Sequence, residues 1–282
     1  MPQRPSARPG GTSPMRPMRV EGRFDEPVAC SPSRRARRAS GAARLACMAA
    51  VACAASILAT TGEAALSVVG TRFVYPGDAR SLSILVRNGG KAPILVQAWL
   101  DDGDANADPS RLRLPFIVAP PLVRLDPAQP ASIRVQSIDG GLAPDRESCF
   151  WINLLEVPPA APAGENTLRI AYRLRMKVLF RPHGLRGDPD DAPGRLEWTH
   201  ARQGDNGSIV MTNPTPYYVT LTRVQLHGKP VALAGGFVDV APFGRADISI
   251  GTMAGTGPEE VEFDSVDDNG AQQSHRARLE SR

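Results

Sequence analysis

The chain has 282 residues and a net charge of +4, and 42% of its residues are hydrophobic, 22% charged and 5% aromatic. This composition is typical of a globular protein and excludes a disordered or fibrous one. The 26 glycines and 27 prolines favour short elements with many turns over long helices. The length is enough for two ordinary domains.

The positive net charge comes from the first 64 residues. They hold ten arginines and four acidic residues, so that 23 of the 33 basic and 25 of the 29 acidic residues remain in 65–282. The body of the chain therefore carries a net charge of −2. Because a nucleic-acid-binding domain needs a basic surface, this distribution argues against a nucleic-acid partner.

Residues 1–64 are expected to be an N-terminal extension followed by a signal peptide. Five arginines between Arg34 and Arg44 precede a small and apolar run from Leu45 to Ala59. This run is shorter than the roughly 20 residues that a membrane helix needs. A basic segment, a short apolar core and small residues at a cut are typical of a secretory signal peptide. We predict cleavage after Ala64, which leaves an exported chain of 65–282.

The cysteines divide in the same way. Three of the four lie before residue 65, so Cys149 stands alone in the remaining chain. An exported protein with one cysteine has no internal disulfide, and its hydrophobic core must suffice for stability. No His lies near Cys149 in the sequence to activate it. We therefore interpret Cys149 as a small buried apolar residue.

After Ala65 the sequence alternates as strands do. The predicted strands of the first block are Ser81–Arg87, Pro93–Leu100, Phe116–Val118, Ser132–Val135, Phe150–Val157 and a long one at Leu168–Phe180. Turn residues recur between them, and no stretch has a convincing helical stripe. These six strands in roughly 115 residues are close to the seven of an immunoglobulin-like β-sandwich and predict that fold.

A loop rich in Pro, Gly and Asp, Pro182–Gly194, separates a second block of strands. These are predicted at Ser208–Thr212, Tyr218–Thr222, Phe237–Val240, Ala246–Ile250 and Glu260–Val266. They indicate a second, smaller all-β domain. We predict an N-terminal domain at 65–185 and a C-terminal domain at 186–282.

The predicted strand Leu168–Phe180 has an unusual pattern. All seven even positions are apolar, and four of the six odd positions are Arg or Lys. An ordinary half-buried strand would have this alternation. An edge strand that offers its apolar side chains to another protein would have it too. Periodicity alone leaves both interpretations open.

Five motifs together resemble one known family. They occur in the family's order between Leu66 and about Gly270: Gln97–Trp99, Pro120–Pro127, Asp145–Pro159, Lys177–Pro182 and Asn213–Tyr218. Each motif is weak alone, but five in order are specific. The chain resembles the periplasmic pilus chaperones of the chaperone–usher pathway. Cys149 stands where the family usually has a larger apolar residue, which we interpret as a change in packing.

The resemblance implies two immunoglobulin-like domains set as an L, with a pilus subunit held in the cleft. It implies that Arg72 and Lys177 grip the subunit's terminal carboxylate. Charge-assisted hydrogen bonds are what a carboxylate needs when it leaves water. The resemblance also implies that Leu168, Ile170 and Tyr172 fill the groove left by the strand that the subunit lacks.

Further positions follow from the same resemblance. Glu147, Arg181 and Asp268 match the family's interdomain ion network. The loop 158–167 is only ten residues long and has no flanking cysteine pair, which resembles the short-loop class associated with rod-like pili. Strict alternation places Lys177 on the opposite face from Tyr172. A bulge or a strong twist is therefore expected between them, unless one assignment is wrong.

The resemblance implies a periplasmic chaperone that completes a pilus subunit by donating a strand and delivers it to an outer-membrane usher. It implies no nucleotide or other cofactor, and an exposed apolar edge would allow the free protein to cover itself by dimerising.

One alternative is a non-chaperone sandwich module for adhesion or structure, which would need neither Arg72 nor Lys177. Another is an exported hydrolase. No catalytic motif or metal-ligand spacing supports an enzyme, since the four histidines are isolated in the sequence.

Overall fold

The computed structural model describes residues 65–138, 140–160, 168–203, 206–251 and 259–281. The predicted leader and its cleavage site lie outside these residues. The described residues form β-strands with three short 3-10 helices at Pro189–Asp191, Pro193–Arg195 and Ala234–Gly236. The predicted all-β class is therefore confirmed. Within the described residues no helix is long and apolar enough to cross a membrane.

Nine strands precede the loop at about residue 182. They are β1 (Leu66–Val68), β2 (Arg72–Pro76), β3 (Leu82–Asn88), β4 (Ile94–Asp101), β5 (Phe116–Ala119), β6 (Leu122–Leu125), β7 (Pro130–Ser137), β8 (Ser148–Val157) and β9 (Tyr172–Arg181). They form two sheets, with strand orders β1-β3-β7-β5 and β2-β9-β8-β4-β6. One buried apolar cluster lies between these sheets.

Alternation explains how the two sheets close on each other. In β3, Ile84 and Val86 are fully buried, while Ser83 and Arg87 point to solvent. Strand β4 repeats the pattern, with Val96 buried and Gln97 exposed. Period-two burial of this kind places one face of each strand against the core.

The strands after the loop form the second block. They are β10 (Glu197–Gln203), β11 (Asn206–Thr212), β12 (Val219–Leu226), β13 (Lys229–Pro230), β14 (Val238–Val240), β15 (Arg245–Gly251), β16 (Glu259–Val266) and β17 (Gln272–Ser281). Their ladder is continuous, because a short parallel pairing of β10 with β17 joins β11 and β15 to β12 and β16. A second buried cluster includes Trp198 and Phe263, whose ring centroids lie 4.8 Å apart.

The predicted strand Leu168–Phe180 is wrong at its beginning, since β9 begins at Tyr172. Its ladder with β8 ends at the pair Tyr172–Glu156. Continuing that register would place Ile170 opposite Pro158, which has no N–H group to donate to a ladder. Leu168 and Ile170 therefore precede the strand, and no strand of the described chain pairs with them.

Candidate functional site

Two buried cations lie side by side where β2 pairs with β9. Arg72 begins β2, Lys177 lies in the middle of β9, and the two are direct partners in a parallel ladder. Direct partners in neighbouring strands project from the same face of a sheet. Arg72 is 9% exposed and Lys177 is 6% exposed. Charged side chains are seldom buried so deeply unless hydrogen bonds or opposite charges compensate the loss of hydration.

The Lys177 ammonium group contacts both blocks of the chain. It donates a hydrogen bond to Thr220 Oγ1 at 2.8 Å and another to Oδ1 of Asp239. It also lies 5.2 Å from the ring centroid of Trp151 and 4.7 Å from that of Phe237. Burial lowers the pKa of Lys177, and the charge of Asp239 opposes this effect. The aromatic rings and the carboxylate together stabilise a cation that has lost most of its water.

Arg72 has a different set of contacts. Its guanidinium donates to the carbonyl oxygen of Val266 at 2.7 Å. Within the described part of the chain no carboxylate lies at salt-bridge distance from Arg72. Burial lowers the pKa of Arg72, and Asp239 is the first of the charges that oppose this. A buried guanidinium with a neutral acceptor keeps donors available for an anion.

An open cavity of about 290 Å³ lies beside the two cations. Arg72 and Lys177 line it together with Trp151, Phe237 and Thr220. The cavity thus combines two cations with aromatic and hydroxyl groups, which suits a carboxylate attached to an apolar chain.

The predicted ion network is assembled around Arg181. Its guanidinium lies 2.6 Å from Glu147 Oε1 and 2.7 Å from Asp268 Oδ2. Glu147 Oε2 also accepts a hydrogen bond from the backbone N–H of Tyr218 at 2.7 Å. Burial raises the pKa of Glu147 although the charge of Arg181 opposes it. The network connects Glu147, which immediately precedes β8, and Arg181 at the end of β9 with residues of the second block.

The segment that begins β9 offers apolar side chains to solvent. Leu168 is 88% exposed, Ile170 is 52% exposed and Tyr172 is 36% exposed. In the described chain, residues 172–176 pair with β8 on one side, while the pairing of β9 with β2 begins at Lys177. The other edge of 172–176 is therefore open, and an open apolar edge is able to accept a strand from a partner.

No bulge separates the apolar half of β9 from Lys177. The pairing of β9 with β8 keeps one register from Tyr172 to Phe180. Val178 lies in the core of the first block, and Met176 packs against that core. Lys177 projects from the other face, where Thr220 of the second block contacts it. The expectation of a bulge between Tyr172 and Lys177 is therefore wrong, because the two faces of the strand have different neighbours.

Five contact residues of this site were missed from the sequence, namely Trp151, Thr220, Phe237, Asp239 and Val266. Asp239 and Thr220 are direct partners in the pairing of β14 with β12. Their alternation in the sequence predicts strands, but the register between strands is a long-range property. Trp151 stands in a family motif, and nothing local indicates that its ring will lie near Lys177.

Cys149 lies near the same cations without being reactive. Burial raises the pKa of its thiol to about 12, despite the nearby charge of Lys177. Because the thiolate is the nucleophile, such a cysteine is inert near neutral pH. Within the described residues no group of His, Cys, Asp and Glu side chains could hold a metal ion.

One Ser–His contact bears on the hydrolase alternative. Ser265 Oγ lies 2.8 Å from His275 Nε2 across the pairing of β16 with β17. Ser265 is nearly fully buried. A nucleophile must reach its substrate, so this pair is a cross-strand hydrogen bond that stabilises the second block.

Comparison with known proteins places both blocks in one group. A family model described as "Pili and flagellar-assembly chaperone, PapD N-terminal domain" matches residues 65–186. The model "Pili assembly chaperone PapD, C-terminal domain" matches residues 191–277. The chain is 35% identical over 218 residues to the probable fimbrial chaperone YadV of Escherichia coli K12, covering 75% of this chain and 89% of that protein. It is 36% identical over 230 residues to the chaperone protein FimB/FhaD of Bordetella pertussis, covering 79% and 91%.

A solved structure is similar over the same region. The complex of the Salmonella enterica SafA pilin with the SafB chaperone matches with a TM-score of 0.65 and 28% identity, covering 78% of this chain and 99% of that one. Solved structures of such chaperones bear out the predicted pair of immunoglobulin-like β-sandwiches.

Proposed function

Because the chain belongs to the family of PapD-type pilus-assembly chaperones, we propose that it binds pilus subunits in the periplasm and delivers them to an outer-membrane usher. The observation that supports this proposal best is the pair Arg72 and Lys177 beside the open edge of β9. One feature suits the end of a chain and the other suits a missing strand. Both are needed to hold a subunit whose fold is incomplete.

In this proposal Arg72 and Lys177 anchor the subunit's terminal carboxylate. A carboxylate that leaves water loses a large hydration free energy unless charged donors replace that water. Both cations have already lost most of their water on folding, so an anion that binds them causes little further desolvation of either side chain. The anchor also sets the register, because the subunit strand must run along β9 from a fixed end.

Leu168, Ile170 and Tyr172 supply the apolar part of the interaction. Their exposure leaves them free to enter the subunit's groove. On binding, we expect β9 to extend from Tyr172 back towards Leu168, because the subunit offers the backbone hydrogen-bond partners that Pro158 cannot. No nucleotide is required, since the subunit leaves by exchange for a neighbour's strand.

Glu147, Arg181 and Asp268 have a supporting role in this proposal. The ion network connects residues of the two sandwiches, so it fixes the position of Thr220 and Phe237 relative to Lys177. The free protein would also be able to bury its open edge against a second copy, giving a dimer that a subunit must separate. The signal peptide with its cut after Ala64 completes the proposal.

The alternative function is a sandwich module for adhesion or structure. Such a module would retain the fold, but its partner binding would not change when Arg72 or Lys177 is replaced. The two functions therefore differ in what those two side chains contribute to partner binding.

The experiment is a pull-down from the periplasm of the native host with tagged wild type, Arg72→Ala and Lys177→Ala. Co-purified proteins are identified by mass. We expect wild type to recover small exported subunits and both variants to lose them while remaining folded. Lys229→Ala, which removes an exposed lysine of β13, is the matched control and should behave as wild type. Equal recovery by all four proteins, or recovery of nothing by wild type under piliating conditions, would contradict the proposal.

A further inference from the structure

A carboxylate of the chain itself already forms an ion pair with the Lys177 ammonium group. Asp239 of β14 is the direct partner of Thr220 of β12. The Lys177 ammonium group donates to Oδ1 of Asp239 and to Thr220 Oγ1, and the Thr220 hydroxyl donates to the same Asp239 oxygen at 2.7 Å. The three side chains form a closed triangle. One of the two cations thus has an anionic partner before any ligand arrives.

Asp239 compensates the burial of this site. Burial lowers the pKa values of Lys177 and Arg72, and of the nearby charges Asp239 opposes this lowering most strongly at both residues. Arg72 nevertheless has no ion pair in the described chain, so the free site holds two cations and one close carboxylate. An arriving carboxylate would be the second anion in a space where one anion is already bound. Two carboxylates that share such a space repel each other.

We propose that Asp239 is an internal competitor for the subunit's terminal carboxylate, so that capture exchanges one carboxylate for another at Lys177. The inference rests on the proposed function, because it concerns the same anchor. The Asp239 side chain is 24% exposed, whereas that of Lys177 is 7% exposed. Asp239 can therefore turn towards water when it is displaced, while Lys177 stays in place.

The exchange would affect both selectivity and release. A free anion gains little at Lys177, because it must displace a carboxylate that is already hydrogen-bonded there. A ligand that also pairs along β9 has additional binding free energy for this displacement. When the subunit leaves, Asp239 returns to Lys177, so the buried cation is not left without a partner. The apparent affinity is lowered by the fraction of molecules in which Asp239 occupies Lys177.

The test uses Asp239→Asn, which removes the charge and retains the shape. Asp247→Asn, at an exposed position of β15, is the matched control with the same change in net charge. The probe is a short peptide of alternating valine and threonine, made with a free terminal carboxylate and also with a terminal amide. Binding to the mature protein is measured by calorimetry at neutral pH and low salt. A melting curve of each free variant verifies folding.

We expect Asp239→Asn to bind the carboxylate peptide about tenfold more tightly than wild type, since it removes the competing anion. The amide peptide should bind both proteins equally, and Asp247→Asn should match wild type. Thr220→Val removes the hydroxyl that holds Asp239 and should change affinity in the same direction by a smaller factor. This second variant decides the matter if Asp239→Asn does not fold.

Equal or weaker binding of the carboxylate peptide by Asp239→Asn would overturn the exchange. If Lys177→Ala still loses binding in that case, the proposed function stands and Asp239 is a structural partner. The absence of a preference for carboxylate over amide in every variant would overturn the inference as well. Together with a pull-down that recovers no subunit, that result would remove the proposed function itself.

Discussion

The two halves of β9 both have apolar residues at their even positions, but their surroundings differ. From Lys177 to Phe180 the strand has β8 on one side and β2 on the other, and its side chains contact both sandwiches. From Tyr172 to Met176 it has a single neighbouring strand in the described chain, and Leu168 and Ile170 before it are exposed. One half is completed by the chain itself. The other half has the chemistry of a strand that lacks a partner.

This difference teaches that hydrophobic alternation indicates a strand without indicating what will cover it. Val178 and Ile170 are both apolar and occupy the same parity of one sequence, yet Val178 is fully buried and Ile170 is half exposed. Substitutions in the two halves should therefore affect different properties. Changes in the completed half should alter stability, and changes in the open half should alter binding.

The largest effect is expected from Arg181→Ala in the completed half. The substitution leaves Glu147, whose side chain is 1% exposed, buried without its cation. Breaking a buried ion pair in this way costs about 3–5 kcal/mol of the free energy of unfolding. Urea unfolding measures the loss. Arg124→Ala, which breaks an exposed pair with Asp126, should cost less than about 1 kcal/mol. Equal losses in the two variants would show that burial does not set the strength of the network.

Lys177→Met at the junction of the halves should separate binding from folding. The methionine retains most of the side-chain volume and removes the charge. Asp239 keeps the Thr220 hydroxyl as a donor, so the fold should persist. Affinity for a subunit recovered by the pull-down should fall about 100-fold, which corresponds to about 3 kcal/mol. The measurement is surface plasmon resonance against that subunit. An unchanged affinity would remove Lys177 from the anchor.

Ile170→Ser in the open half should weaken binding without changing stability. Since Ile170 is half exposed in the free protein, its free energy of unfolding should change by less than about 0.5 kcal/mol. Full burial of an isoleucine is worth about 1.5–3 kcal/mol, and about half of its surface remains to be buried by the partner, so affinity for the subunit should fall about fivefold to tenfold. Val178→Ala on the same strand is the matched comparison. It should lose about 2 kcal/mol of stability. A loss of stability in Ile170→Ser would mean that the chain itself covers this residue.

The smallest expected effect is the pH-dependent part of the stability that the Asp101–Arg175 ion pair contributes at the centre of β9. Burial acts to raise the pKa of the Asp101 carboxyl, but hydrogen bonds from Arg175 and Asn153 outweigh it and lower the pKa below its ordinary value. A carboxyl with a depressed pKa contributes stability that is present above its ordinary value near 3.8 and is lost as pH falls. The melting temperature should therefore fall as the pH is lowered from about 5 to about 2, and this fall should be smaller in Arg175→Met. If the melting temperature of the variant falls by as much as that of wild type, other carboxyl groups cause the acid sensitivity.

Much of the fold could be predicted from the sequence, because most strands are half-buried and alternate. The strands β10 and β17 were missed. Their sequences, Glu197–Gln203 and Gln272–Ser281, are strongly polar, and in β17 Leu279 is the buried apolar residue. Short strands such as β2 also escaped, since five residues show little periodicity. The predicted domain boundary at 185–186 and the L-shaped arrangement stay predictions.

The candidate site could be predicted only in part. The resemblance supplied Arg72, Lys177 and the ion network, and the geometry brings Glu147, Arg181 and Asp268 into contact. Their roles stay predictions. Asp239 could not be found in this way, because its contact with Lys177 depends on the register of β14 with β12 and on the packing of two sandwiches. These are long-range properties that no local pattern contains.

The most direct test of the anchor is a crystal structure of the protein with a subunit recovered from its host. The subunit's terminal carboxylate should lie within about 3 Å of both the Arg72 guanidinium and the Lys177 ammonium group. Its strand should pair along the open edge of β9, with Leu168, Ile170 and Tyr172 in its groove. A subunit terminus bound away from both cations, or a subunit held on another surface, would contradict this account.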